Sequence, residues 1–248
     1  MLFTQTGDSQ KPTIILLHGG GLSDWSWQPV ASLLQPDYHV ITPIIDGHGA
    51  DGKTAFTSIE ASASTLIRYI DTHCGGTVFA LAGLSIGAQI AVEVLSQRPD
   101  IAWYAIIESA LVYPIKGTTA LTAPSYGLFY GLIAKRWFAK LQAKSLCVPD
   151  HLFETYYQDS LQISKQSLIN ITLSNGTYAL KNTISHTTAK VLLIVGSKEL
   201  GIMKKSAHRL HDCIKNSELY IAKGMKHGEM SLVHTADYAR LLKAFIKT

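Results

Sequence analysis

Residues 77–95 read TVFALAGLSIGAQIAVEVL, and no other stretch of the chain says more about its fold. Residues 77–82 are an apolar run that predicts a buried strand, and the apolar residues after Ser85 recur at helical spacing. A serine on a sharp strand-to-helix turn is exposed above the helix N-terminus, while Gly83 and Gly87 permit a strained backbone and close approach of neighbouring chain. The context predicts that Ser85 is a nucleophile. The alternative is a glycine-rich turn with an incidental serine.

Length and composition indicate a globular enzyme domain. The chain has 248 residues, 47% of them hydrophobic and 16% charged, which suffices for one domain with a large core. No apolar run approaches the ~18 residues of a membrane span, and the first residues lack the order of a signal peptide. Cys74, Cys147 and Cys213 are far apart and odd in number, which favours reduced thiols over disulfides or metal ligands. We expect a cytoplasmic protein with no metal, no cofactor and no membrane partner.

Charge is spread unevenly along the chain, whose net charge is +4. Residues 1–111 carry 4 basic and 10 acidic side chains, residues 112–188 carry 7 and 3, and residues 189–248 carry 11 and 5. A basic C-terminal part is compatible with nucleic acid, but its lysines are scattered and lack interleaved aromatic residues. Solvated helix faces explain them better, and we expect no nucleic-acid partner.

Strand-like runs alternate with helical patterns. The runs cover residues 13–17, 38–42, 77–84, 103–107, 190–195 and 218–222. Helix signals cover residues 24–34 and 58–73, with Ser23 and Ser58 as N-cap candidates. Pro99 stands where the helix after Ser85 should stop. This alternation predicts an α/β fold, a doubly wound and mainly parallel sheet with helices on both faces.

The alternation stops in residues 112–188, which contain no convincing strand. Helical stretches are predicted near residues 126–144, 149–163 and 165–173, followed by a turn at Asn175-Gly176. A long helical insertion between two strands is most simply a cap (lid) over one sheet edge. The predicted core is therefore residues 1–111 and 189–248, and the cap is residues 112–188. Aromatic residues of the cap line a pocket or pack the cap onto the core.

The chain resembles the α/β-hydrolase family, in the subgroup of small serine hydrolases with a helical cap after the sixth sheet strand. The resemblance covers nearly the whole chain and rests on motifs that follow predicted strands: His18-Gly19-Gly20-Gly21, Asp46-Gly47-His48-Gly49, the elbow from Gly83 to Gly87, Gly196-Ser197-Lys198-Glu199, and His227. The chain departs from the family at its start, because only twelve residues precede the strand of the His-Gly motif. The resemblance therefore implies a sheet of about six or seven strands, with one short strand near residues 2–6.

The resemblance implies a catalytic triad in the chain order serine, acid, histidine. His227 follows a strand and precedes the terminal helix, so it is the expected base; His234 is the rival, at the start of that helix. The acid is Glu199, three residues after the Gly196 that ends a strand, or alternatively Glu108, at the end of the run 103–107.

An oxyanion hole needs two preorganised donors. The resemblance assigns these to the backbone N–H groups of Ile86 and Gly20, with Gly21 as an alternative for the second. Taken alone, residues 18–21 are also compatible with a phosphate loop, but they lack the spacing and the Lys-Ser/Thr of nucleotide binders. In relatives of their motif Asp46 and His48 are mainly structural, so neither belongs to the expected triad.

These motifs predict a serine hydrolase that cleaves a small or medium carboxylic ester through an acyl-enzyme on Ser85. The same triad supports thioester, amide or carbon–carbon bond hydrolysis, including the MenH-like enzymes of menaquinone synthesis. Haloalkane dehalogenases and epoxide hydrolases share the fold but have an aspartate at the elbow. A rival of another class is a non-catalytic ligand receptor. The expected partner is a small-molecule ester, acidic if a basic residue of segment 135–144 lies near the entrance, and the expected assembly is a monomer or homodimer.

Overall fold

Seven strands form one sheet in the computed structural model, which describes residues 1–247. They are Leu2–Thr6 (β1), Thr13–Leu17 (β2), His39–Ile44 (β3), Val78–Leu84 (β4), Ala102–Glu108 (β5), Lys190–Gly196 (β6) and Ser217–Ala222 (β7). Their order across the sheet is β1-β3-β2-β4-β5-β6-β7. Strand β1 is antiparallel to β3, and every other neighbouring pair is parallel. The predicted fold class is confirmed, including the single short strand that precedes β2.

Helices cover both faces of this sheet. The α-helices are Gln28–Leu34 (α1), Ile59–His73 (α2), Ile86–Gln97 (α3), Thr118–Phe129 (α4), Arg136–Ser145 (α5), Phe153–Gln162 (α6), Lys165–Thr177 (α7), Gly201–Cys213 (α8), Glu229–Leu232 (α9) and Thr235–Phe245 (α10). Short 3-10 helices lie at Asp24–Trp27, Gly49–Asp51, Tyr130–Ala134, Asp150–Leu152 and Asn182–His186.

The alternating side chains of the strands divide the core into two layers. On β2, Ile15 and Leu17 join the layer that packs against α2, α3 and α8, whereas Ile14 and Leu16 join the layer that packs against α1 and α10. All four side chains are fully buried. Burying each stabilises the fold by roughly 1.5–3 kcal/mol, so the apolar runs that predicted the strands also hold the sheet in place.

The predicted helix ends were right at two places and wrong at a third. The hydroxyl of Ser58 accepts from the Ala61 N–H at 3.1 Å, which caps α2, and α3 ends two residues before Pro99. Ser23 precedes the 3-10 helix Asp24–Trp27 but makes no capping bond. Its hydroxyl instead donates to the Asp24 carboxylate at 3.2 Å, so the predicted cap there is wrong.

Residues 112–188, between β5 and β6, contain helices but no strand in the described structure. We call them the helical insertion. The helix expected over residues 126–144 is not continuous, because α4 ends at Phe129 and Lys135 is extended at φ −91° and ψ 115°. Gly127 and Gly131 weaken the helix here, and the Tyr130 hydroxyl is drawn to the Ile163 carbonyl at 3.1 Å.

The predicted turn at Asn175-Gly176 is wrong, because both residues lie inside α7. The Asn175 side chain donates to the Gln89 Oε1 at 3.0 Å, and the Asn175 carbonyl accepts from the Gln89 Nε2 at 3.1 Å. A Cβ on Gly176 would lie 2.8 Å from Thr118, so glycine lets α4 approach. Tertiary contacts therefore override the local turn signal.

The structure also shows whether a helix could span a membrane and whether the cysteines are paired. In residues 1–247, no helix combines the length and apolarity needed to cross a membrane. Cys74, Cys147 and Cys213 form no disulfide in the part of the chain that the structure describes.

Candidate active site

Ser85 occupies the turn between β4 and α3 in a strained conformation. Its φ is 56° and its ψ −117°, a region that costs a non-glycine residue on the order of 1–3 kcal/mol. Its N–H donates to the Glu108 carbonyl at 2.9 Å, and its carbonyl accepts from the Gln89 N–H at 2.9 Å. A Cβ on Gly83 would lie 2.4 Å from the Gly87 carbonyl oxygen, and one on Gly87 would lie 2.4 Å from that of Leu17. Both glycines are therefore needed for close backbone approach, as the pattern predicts.

Glu199 and His227 form a hydrogen-bonded pair at the same sheet edge. The His227 Nδ1 lies 2.8 Å from the Glu199 Oε2. The Glu199 Oε1 accepts from the Gly196 N–H at 2.7 Å and from the Ser109 hydroxyl at 2.8 Å. Burial alone would raise the pKa of Glu199, but the bond to His227 and its charge, with Gly196 and Ser109 as donors, hold that pKa below its ordinary value. The carboxylate is thus kept ionised and the imidazole oriented.

Ser109 is a functional neighbour that sequence reasoning missed. It follows the last residue of β5 and has a φ of +57°. Its N–H donates to the Ile194 carbonyl at 2.9 Å, which aims its hydroxyl at Glu199. The only sign of this contact in the sequence is that Ser109 directly follows a strand, at the sheet edge where the predicted acid also lies.

The structure brings the His227 loop to Ser85 without joining the two side chains. A Cβ on Gly228 would lie 3.2 Å from the side chain of Leu84, the residue before Ser85. No hydrogen bond from the Ser85 hydroxyl to His227 occurs within residues 1–247. The Nδ1 of His227 faces a carboxylate and therefore carries the proton, which leaves Nε2 as an acceptor.

Glu108, the alternative acid, is placed differently. It is 1% exposed, and its Oε1 accepts from the Ser231 N–H at 3.4 Å, while its Oε2 has no partner among the described residues. Burial raises the pKa of Glu108 to about 7, against the opposing effects of Ser231 and His227. In this structure the imidazole is bonded to Glu199 and not to Glu108.

The expected oxyanion-hole residues lie beside Ser85. Gly20, Gly21 and Ile86 line one cavity with it. A Cβ on Gly20 would come 3.7 Å from the Ile86 side chain, so the two segments are adjacent. These positions are compatible with the expected pair of donors.

His18, the first residue of the His-Gly motif, is buried and stabilises the loop after β2 through hydrogen bonds of its ring. Burial, with the nearby His48, lowers the pKa of His18 to about 3, so the ring is neutral. Its Nε2 accepts from the Ile45 N–H at 3.0 Å, and its Nδ1 donates to the Gly19 carbonyl at 2.9 Å. His18 thereby joins the loops that follow β2 and β3.

The remaining candidate residues lie outside the cavity wall. Asp46 accepts from the amino group of Met1, and the Nδ1 of His48 bonds to the Asp46 carbonyl at 3.0 Å. His234 stands at the N-cap position of α10 without a side-chain capping bond, and it shares no hydrogen bond with either glutamate in the described chain. No group of three or more His, Cys, Asp or Glu side chains within residues 1–247 is arranged to hold a metal ion.

A cavity of about 570 Å³ lies between Ser85 and the helical insertion. Helices α4, α5, α6 and α7 supply most of its wall, and none of the described residues that line it is charged. Apolar lining residues include Ile115, Phe129, Phe138, Tyr156 and Ile171. Polar lining residues include Thr118, Gln142, Ser160, Thr172 and Asn175. The site offers an apolar enclosure with a few neutral polar groups.

Comparison with known proteins adds relatives of the same fold. The chain is 29% identical over 103 residues to a haloalkane dehalogenase of Bradyrhizobium diazoefficiens, covering 40% of this chain and 32% of that protein. It is 27% identical over 141 residues to an AB hydrolase superfamily protein of Gibberella zeae, covering 56% and 49%. The matches thus span at most about half of these relatives. A thermophilic esterase from Thermogutta terrifontis superposes with a TM-score of 0.79 at 15% identity, covering 99% of this chain and 92% of that one.

The family profile described as "Alpha/beta hydrolase family" matches residues 14–227, which include every candidate residue from Gly20 to His227. Strands β3 to β7, the elbow and the Glu199–His227 pair lie within that range. The chain belongs to the alpha/beta hydrolase family.

Proposed function

We propose that this protein is a serine hydrolase that cleaves small or medium carboxylic esters through an acyl-enzyme on Ser85. One observation carries the proposal. A serine in a strained strand-to-helix turn lines the cavity beneath the helical insertion, at the sheet edge that also holds an oriented Glu199–His227 pair. A nucleophile, a base and an orienting acid are the parts that acyl transfer requires.

The reaction begins with proton transfer from Ser85. The Nε2 of His227 accepts the hydroxyl proton while Oγ attacks the ester carbonyl, and the ionised Glu199 stabilises the imidazolium that forms. This step requires the ring to come within hydrogen-bond reach of Oγ, and such bonds often tighten only when substrate is bound. The backbone N–H groups of Ile86 and Gly20 stabilise the oxyanion.

The second half of the reaction uses the same residues. The imidazolium of His227 protonates the leaving alcohol, which departs as the carbonyl re-forms. Water then attacks the acyl-enzyme with His227 as base, and the acid is released with Ser85 restored. No cofactor is required.

The cavity supports uncharged substrates. Its lining contains neither an acidic nor a basic side chain in the described chain, so an ionised group bound there would lose its hydration without compensation. Lys135, Arg136, Lys140 and Lys144 do not line it, so they do not offset the charge of a group bound inside the cavity. A volume of about 570 Å³ suits a ligand of small or medium size.

A hydrolysis screen tests the proposal. Initial rates are measured on p-nitrophenyl esters of increasing acyl length, with matched thioester and amide substrates and with Ser85→Ala as control. We expect ester hydrolysis that peaks at short or medium acyl chains and vanishes in the control. Labelling by a fluorophosphonate should require Ser85. Absence of both labelling and turnover would favour the ligand receptor, and a preference for amides or thioesters would reassign the bond that is cleaved.

A further inference from the structure

The surface of the helical insertion carries an unusual run of exposed, uncharged residues. Between Lys116 and Lys135 the chain contains no charged side chain. In this segment α4 buries only Thr122, and Leu128 on its outer side is 76% exposed. Leu121, seven residues before Leu128 and therefore on the same side of α4, is also exposed. An apolar helix of this kind normally turns its aliphatic side chains inwards, so this face is available for a partner.

Helix α5, which lines the same cavity as α4, also carries exposed apolar side chains and adds positive charge. Trp137 and Leu141 are exposed on the face of α5 opposite its buried Ala139 and Ala143. Lys144 follows Leu141 on the same stripe at i,i+3 spacing. Aromatic and aliphatic side chains beside lysines are typical of helices that lie at a lipid–water interface.

The charged residues of α4, α5 and the segment that joins them are all basic. Residues 112–149 include Lys116, Lys135, Arg136, Lys140 and Lys144 but no aspartate or glutamate. Arg136 pairs with Glu154 of α6. No salt bridge within residues 1–247 engages the other four. Together with Leu121, Leu128, Trp137 and Leu141, the three exposed lysines Lys116, Lys135 and Lys144 define what we call the basic apolar face.

The basic apolar face adjoins an opening of the cavity. Phe129 and Ile115 both line the cavity and are both exposed, which places them at its mouth. Helix α4 therefore has one side in the cavity wall and the other side in the basic apolar face. A partner that covers this face would sit next to the route by which substrate enters.

The charge decides which partner fits. A second copy of the chain docked through the same face would bring two sets of lysines together, which costs energy through like-charge repulsion. An anionic lipid surface complements the lysines and takes up the aliphatic and tryptophan side chains. We propose that the basic apolar face binds the surface of an anionic membrane, with the cavity mouth towards the lipid.

This binding differs from the absence of a membrane partner expected from the sequence. That expectation rested on the lack of a long apolar segment, which excludes a spanning helix but not helices that lie on a surface. The proposal also stands apart from the catalytic one, because lipid binding needs neither Ser85 nor His227.

Vesicle sedimentation tests the proposal. The whole chain carrying Ser85→Ala is mixed with vesicles of phosphatidylcholine alone or of phosphatidylcholine with phosphatidylglycerol. We expect it to pellet with the anionic vesicles at low ionic strength and to be released by added salt, because screening weakens surface electrostatics. Failure of the protein to pellet with the anionic vesicles would overturn the proposal.

Matched variants locate the contact. Trp137 is 63% exposed, and Trp103, near the amino end of β5, is 65% exposed. We expect Trp137→Ser to lower vesicle partitioning about tenfold and Trp103→Ser to leave it unchanged. The pair Lys135→Glu with Lys144→Glu should lower it at least about tenfold, whereas Lys215→Glu should not. Thermal melting confirms that each variant is folded.

Two outcomes would contradict the assignment of this face. One is equal loss of partitioning in Trp103→Ser and Trp137→Ser, which would show that the contact is not specific to the helical insertion. The other is a protein that does not bind vesicles but forms a dimer in analytical ultracentrifugation, with the dimer dissociated by Trp137→Ser. That result would assign the face to a second copy.

Discussion

The two walls of the cavity are built in different ways. The wall that holds Ser85, Gly20 and Ile86 consists of loops that begin where strands end, so backbone hydrogen bonds of the sheet fix their positions. The wall formed by the helical insertion consists of side chains on four helices, among them Phe138 and Tyr156. Under the proposed function, we expect the first wall to determine the chemistry and the second to determine which molecule fits.

Hydrogen bonds of Ser167 and Ser174 to the backbone of Phe56 and Ile59 tie α7 to the rest of the protein, and two further attachments involve buried polar side chains. Gln89, one turn after Ser85, donates to the Leu111 carbonyl at 2.7 Å and exchanges bonds with Asn175. Buried Glu93 accepts from the Tyr178 hydroxyl at 3.2 Å and pairs with Lys181. Both attachments start on α3, the helix that follows the nucleophile. The insertion is thus anchored at its C-terminal end, while α4 and α5 stand exposed.

The largest effect is expected at the strand-end wall. Replacing Ser85 or His227 by alanine should lower ester turnover by about four orders of magnitude or more, because the members of a triad act as a unit. Neither side chain is part of the core, so circular dichroism and melting temperature should be unchanged. Retention of more than about a tenth of the activity in Ser85→Ala would rule out the acyl-enzyme.

The two buried glutamates offer the next largest contrast. Glu199→Gln should lower kcat by about a hundredfold to ten-thousandfold with KM nearly unchanged, because the imidazole loses the partner that fixes its tautomer and stabilises its charge. Glu108→Gln should be mild, since Glu108 is bonded to Ser231 and not to the ring. Steady-state kinetics on the best ester decide the ranking, and the reverse order would make Glu108 the triad acid.

Glu108 should instead affect stability as a function of pH. Its folded-state pKa of about 7 lies above its ordinary value of 4.5, so the folded protein binds a proton that the unfolded chain releases. Stability is therefore favoured below pH ~4.5 and lost as pH rises towards 7, by a total of about 3 kcal/mol. Glu108→Gln removes this loss. The free energy of unfolding of the variant should equal that of wild type near pH ~4.5 and exceed it by about 3 kcal/mol near pH ~8. Denaturant unfolding at both pH values measures this difference. A difference in stability that does not depend on pH would contradict the prediction.

The insertion wall should govern selectivity rather than rate. Phe138→Ala enlarges the cavity and should raise the ratio of kcat/KM for longer over shorter acyl esters by about tenfold, since one or two methylene groups in an apolar pocket are worth about that much. Leu161→Ala, an exposed position of the same insertion outside the cavity lining, is the control. An equal change in both variants would mean that the cavity does not bind the acyl chain.

The smallest effect concerns the anchor on α3. Tyr178→Phe removes a hydrogen bond to buried Glu93 and should cost about 2 kcal/mol of unfolding free energy, typical for a bond to a charged group. Tyr113→Phe, at the start of the insertion, removes a hydroxyl that bonds to no described residue and should be nearly neutral. If the two variants have the same stability, Tyr178 does not anchor the insertion.

The sequence by itself determined the sheet, because its five central strands, β2 to β6, are largely buried apolar runs. It also determined where Ser85, Glu199 and His227 stand, since these residues follow strand ends and parallel strands bring those ends to one edge. Local periodicity carries such information without knowledge of the rest of the chain.

Only the tertiary structure decided the details that depend on distant partners. Which glutamate bonds to His227 depends on donors as far apart as Ser109 and Gly196, and on burial that no single segment encodes. Asn175 and Gly176 continue a helix because Gln89 and Thr118 lie against them. The exposure of the outward face of α4 could not be predicted from the sequence for the same reason. An apolar helix predicts burial, but packing across the whole molecule decides whether another element covers it.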